Sequence, residues 1–152
     1  MISKHSSLLL AALALTAATA SATELPGRHP AYLHALTDLR DARWSLEHRP
    51  GDAAVSGQED VAITEIDHAI VEAKKAAAED GKNLADHPHE DAGLDHAGRL
   101  HRAQELLHKA HDDVHAEEDN PETRELRNRV DGHIDLALRA TEHAIRDVEQ
   151  NR

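Results

Sequence analysis

The chain has 152 residues, a length for one domain or one domain plus an appendage, and carries 17 Lys and Arg against 29 Asp and Glu, a formal charge of −12. It holds no Cys, no Phe, one Tyr, one Trp and a single Met, the first residue, yet 14 His. These counts exclude a disulfide framework, a zinc ribbon, a thiol nucleophile, covalent haem attachment and a Cys-borne lipid anchor. An acidic chain without a basic stripe also argues against nucleic acid as a partner, because phosphate binding rests on Lys and Arg.

Residues 1–22 read as a cleavable export signal. Lys4 gives a basic start, Leu8 to Ala18 is an apolar run broken only by Thr16, and Ala20-Ser21-Ala22 supplies a small-residue cleavage pattern. The run is shorter than the roughly 20 residues a membrane-spanning helix needs, and no later segment is apolar enough to span. The expected location is the periplasm or beyond. The mature chain, 23–152, keeps 16 basic and 29 acidic residues, a formal charge of −13, and thirteen His. Unperturbed imidazole titrates near pH 6.5, so full protonation of those His would bring the charge to zero.

Residues 23–152 read as one domain of four helices. The first is expected over about 30–48: Pro30 suits its first position, and Tyr32, Ala35, Leu36, Leu39, Arg43 and Leu46 share one side, with Leu33 and Trp44 on an adjoining stripe. Pro50-Gly51 ends it. The second, about 58–80, opens on Ser56-Gly57-Gln58-Glu59, a capping box, and carries Ala62, Ile63, Ile66, Ala69, Ile70, Ala73 and Ala77 at 3-4 spacing up to Asp80-Gly81. The third, about 92–118, has a nearly heptad-like stripe of Ala97, Leu100, Ala103, Leu107, Ala110 and Val114, broadened by Leu106. The fourth, about 121–150, begins at Asn120-Pro121 and buries Leu126, Val130, Ile134, Ala137, Leu138, Thr141, Ile145 and Val148. Four amphipathic helices with short connections predict an all-α fold, an antiparallel up-down-up-down four-helix bundle.

Seven of the mature His lie between 87 and 115. On a helical wheel His101, His108, His111 and His115 fall within about 80° of one another, along the edge of the third helix's apolar stripe. Imidazole is the commonest borderline metal ligand, and His111 and His115, four residues apart, present two rings to one face. His101 and His115 are about 21 Å apart along the axis, so the stripe is not one site. Candidate sites use His111 with His115, or His108 with His111, completed from another element, with His133 on the fourth helix a candidate donor. His87 and His89, in the loop Asp86-His87-Pro88-His89-Glu90-Asp91, form a second candidate cluster. The metals these donors suit are Zn²⁺, Cu²⁺ and Ni²⁺.

Other site chemistry finds little support. Glu65-x-x-His68 and Glu105-x-x-His108 have the spacing of di-iron bundle ligands, but His68 and Glu105 lie opposite their helices' apolar faces. No His-Glu-x-x-His motif occurs, because Gly93 stands where the second His is needed after His89-Glu90. Ser45 and Ser56, the only Ser after the signal, lack a nucleophile's context.

Two stretches, His29-Pro-Ala-Tyr-Leu-His-Ala-Leu-Thr-Asp-Leu-Arg40 and Asp80-Gly-Lys-Asn-Leu-Ala-Asp-His-Pro88, resemble a family of small exported bacterial helical-bundle proteins of unknown function. The resemblance implies export and a helical bundle, and no activity or ligand. Three functional expectations follow from the chain as a whole. One is a non-enzymatic interaction or accessory module with an envelope protein as partner, which an exposed patch of Tyr32, Leu33 and Trp44 would favour. The others are a His-rich module that binds or buffers a divalent metal, and a pH-responsive module on the same His stripe.

Overall fold

A computed structural model describes residues 30–47, 56–78, 93–116 and 124–151. They form four helices: α1 (Pro30–Glu47), α2 (Gly57–Ala78), α3 (His96–Ala116) and α4 (Arg124–Gln150). The expected signal at 1–22, the Pro50-Gly51, Asp80-Gly81 and Asn120-Pro121 punctuation, and the His87 and His89 loop lie outside the described residues. No helix among the described residues is long and apolar enough to cross a membrane.

The fold is an all-α four-helix bundle, and the predicted stripes meet in its core. Tyr32, Leu36, Leu39 and Leu46 of α1 join Ile66 of α2, Leu100, Leu106, Leu107 and Val114 of α3, and Val130 and Ile134 of α4. Buried Ala residues on every helix, among them Ala42, Ala69, Ala103 and Ala137, fill the space between them. Lacking Phe, the core is built, Tyr32 apart, from aliphatic side chains, and each buried Leu or Ile contributes about 1.5–3 kcal/mol by removing apolar surface from water. Arg43, which the wheel put on the apolar side, lies at the rim instead. Its guanidinium pairs with Asp67 of α2 at 2.6 Å and with Glu47, and the Asp67 hydrogen bond raises its pKa further.

The capping box at Ser56 forms as predicted. The Ser56 N–H donates to Glu59 Oε2 at 2.9 Å, and the Glu59 N–H donates to Ser56 Oγ at 3.3 Å. Glu59 is itself buried, and its Oε1 sits 2.8 Å from His96 Nε2 in the first turn of α3. One carboxylate thus closes the start of α2 and ties it to the start of α3. The third helix begins four residues later than expected. Asp95 is its N-cap, accepting the Gly98 N–H at 2.7 Å, while Arg99 folds back to donate to the Leu94 carbonyl at 2.9 Å. Those bonds hold 94 and 95 outside the helix.

Helix order and sense set the positions of the candidate ligands. α1 packs against α2 and α3, and α4 packs against α2 and α3, so the order around the bundle is α1, α2, α4, α3. Glu65 and Glu72 of α2 meet His133 and Arg129 of α4, so these helices are antiparallel. His101 and His115 of α3 meet Glu149 and Asp131 of α4, again antiparallel. Therefore α2 and α3 run the same way across the bundle diagonal, as the Glu59–His96 contact between their first turns also requires. The alternating sense expected from short connections thus gives way between α2 and α3. The 17 residues from 79 to 95 reach about 56 Å when extended, more than the roughly 33 Å length of α2, so alternation is not forced there.

The α1–α3 seam carries a pH dependence. Burial raises the pKa of Asp38, with Asp113 adding to the effect and Lys109, Arg102 and His34 opposing it. Burial likewise raises Asp113, where Asp112 adds and His34 and Lys109 oppose. A carboxylate with a raised folded-state pKa opposes folding above that value, and the penalty fades as pH falls and the folded chain takes up the proton first. Asp38→Asn is therefore expected to stabilise the protein at pH 7 by no more than about 1 kcal/mol, given partial solvent screening. Urea titrations should show that gain disappearing below the ordinary carboxylate range near pH 3.8.

Candidate metal centres on the two flanks of α4

Val130 and Ile134 of α4 face the core, and a ligand residue stands on each side of that stripe. Asp131 and His133, two residues apart, point about 200° from each other. Because α4 lies between α3 and α2, Asp131 meets α3 and His133 meets α2.

On the α3 flank, His111 and His115 lie one helical turn apart with ring centroids 4.4 Å from each other. Both aim Nε2 at one oxygen: Asp131 Oδ1 is 3.2 Å from His111 Nε2 and 3.3 Å from His115 Nε2. That oxygen is buried and accepts no hydrogen bond from any described residue. The donor atoms of His111, His115 and Asp131 all lie within 4.8 Å of one another, and the three residues together can hold a metal ion. With Zn–N and Zn–O bonds of about 2.0–2.2 Å, tetrahedral ligands stand about 3.3–3.6 Å apart. The two nitrogen-to-oxygen distances fall close to that separation, at and just past the 3.2 Å upper end of the usual N–H···O hydrogen-bond range.

On the α2 flank, Glu65, His68 and His133 form a second group that can hold a metal. Here the resting contact is a hydrogen bond, with His133 Nδ1 and Glu65 Oε2 2.7 Å apart. His68 Nδ1 is 3.8 Å from the same oxygen, and the two rings lie 5.1 Å apart. An ion entering this group must displace the Glu65–His133 hydrogen bond. One turn further along, Glu72 accepts from Lys75 and Arg129, which hold its pKa below the usual carboxylate value.

Of the His singled out in the sequence, His111 and His115 converge as expected. His133 is at neither of them: its helix turns it toward α2. His108 is exposed, and His101, also exposed, lies 3.8 Å from Glu149 near the far end of the bundle. His87 and His89 fall outside the described residues. Asp131 was absent from the sequence candidates; its signal was a position directly beside Val130, at the edge of the buried stripe. The Glu65-x-x-His68 motif is no buried di-iron half-site, since His68 is exposed, yet Glu65 is largely covered and turns toward α4. Glu105 and His108 are both exposed, and Glu105 pairs with Arg102 and Lys109.

Each group is two imidazoles and one carboxylate, the donor set of catalytic zinc sites and of non-haem iron sites, and it leaves coordination positions open. The class defined by fold and site is a His-rich four-helix bundle with His and carboxylate groups able to hold a metal. Compared with protein-family models, curated proteins and solved structures, the chain shows no match, so the functional reading rests on this geometry.

Proposed function

We propose that the protein is an exported, non-enzymatic bundle that binds a divalent transition-metal ion between α3 and α4, and a second, more readily exchanged ion between α2 and α4. The observation that carries this reading is the buried Asp131 oxygen, without a hydrogen bond but approached by two imidazole nitrogens at 3.2 and 3.3 Å. A buried acceptor left unpaired costs about 1–3 kcal/mol, and a cation shared with both rings removes that cost. Imidazole and carboxylate donors without thiolate favour Zn²⁺, Cu²⁺ or Ni²⁺. The role that fits is metal buffering in the compartment to which the signal directs the chain.

The reading as a module for an envelope protein partner has less to rest on. Tyr32 and Leu33 are buried in the core and Trp44 is partly covered, so they form no exposed patch. Calorimetry of untagged protein with Zn²⁺, Cu²⁺ and Ni²⁺ tests the metal reading. Dissociation constants in the micromolar range or tighter are expected for at least one of these ions. Binding weaker than about 1 mM for all three would overturn it.

A further inference from the structure

We propose that Asp135 is a fourth protein ligand of the α3–α4 site, which makes that site a closed two-His, two-Asp set of the kind that retains Zn²⁺. This inference rests on the metal reading above and goes further, because it separates the two flanks by coordination number.

Asp135 lies one turn beyond Asp131 on α4, as His115 lies one turn beyond His111 on α3. In antiparallel helices, two such pairs face each other two-by-two. Asp135 Oδ1 is 3.8 Å from His111 Nε2, the same nitrogen that approaches Asp131. The excess over a tetrahedral edge is a few tenths of an ångström. At rest Asp135 stands outside the three-residue group, and its half-exposed side chain must turn toward His111 to join it.

Charge favours the same assignment. Two neutral imidazoles and two carboxylates balance a divalent cation, which matters where Asp131 is largely covered. The α2–α4 group also holds one carboxylate, Glu65, and an ion bound by its three residues alone keeps open positions for water.

Cobalt(II) is the probe, because its visible spectrum separates four-coordinate sites, with intense bands, from water-rich higher-coordinate ones, with weak bands. The parent for this test carries His68→Ala and His133→Ala, so the α2–α4 site is silent, and circular dichroism checks that each variant remains helical. Expected is an intense four-coordinate band in the parent. Asp135→Asn should reduce it to a weak spectrum and lower Zn²⁺ affinity by at least the tenfold or so that even an outer-shell partner costs. An Asp135→Asn protein with the parent's spectrum and affinity, beside an Asp131→Asn protein that loses both, would overturn the fourth ligand and leave the metal reading standing. If Asp131→Asn also leaves both unchanged, the metal reading of this flank falls and the fourth ligand with it.

Discussion

Replacing both His111 and His115 with Ala is expected to lower Zn²⁺ affinity at the α3–α4 flank by at least about 100-fold, beyond the range seen when only outer-shell partners are lost. The substitution removes both nitrogens that approach Asp131 Oδ1 and leaves carboxylates alone, which suit Mg²⁺ or Ca²⁺ better than Zn²⁺. His111 is only partly covered and His115 is exposed, so the fold should survive the change. The paired control is His68→Ala with His133→Ala, which should remove the weaker phase of a Zn²⁺ titration and leave the tighter one. If the two double variants bind Zn²⁺ identically to the unaltered protein, neither flank is a site. Occupancy should also register in stability, since an ion between α3 and α4 holds two helices together. At 100 times the dissociation constant a ligand specific for the folded state adds about 2.7 kcal/mol.

The second large effect lies in the core. Ile134→Ala is expected to destabilise the protein by about 2–5 kcal/mol, through lost burial and the cavity left behind. Ile134 is fully buried, in the turn of α4 that carries Asp131 and His133. Against the 5–15 kcal/mol total typical of a single domain, this is a large fraction. Urea denaturation should show a lower midpoint with an unchanged slope. Saturating Zn²⁺ should recover part of the loss, because the same turn is anchored by ligands on both sides. A loss below about 1 kcal/mol would be inconsistent with a fully packed isoleucine.

The helices were legible because their evidence is local. Leu100, Ala103, Leu107, Ala110 and Val114 recur at 3-4 spacing and all are buried, and Ser56 with Glu59 marks a helix start that the structure bears out. The structure starts α3 four residues later than expected, where the Asp95 cap and the Arg99 bond to Leu94 fix its first turn and Gly93 disfavours an earlier one.

Half of the α3–α4 site was legible for the same local reason, since His111 and His115 sit one turn apart at a stripe's edge. The rest depends on which helices are neighbours. An alternating bundle would place α4 between α3 and α1, so His133 would never meet α2. The observed order puts α4 between α3 and α2, and this alone brings His133 to Glu65 and His68. Asp131 was obscured differently. It is one acid among 29, and only its place beside Val130 and opposite two imidazoles distinguishes it from a solvated carboxylate.

The most direct test is an anomalous-difference map at the zinc absorption edge, from crystals of untagged protein grown with one equivalent of Zn²⁺. The predicted result is a dominant peak about 2.0–2.2 Å from His111 Nε2, His115 Nε2 and Asp131 Oδ1. A dominant peak on the His87 and His89 segment, or no peak between α3 and α4, would contradict the account.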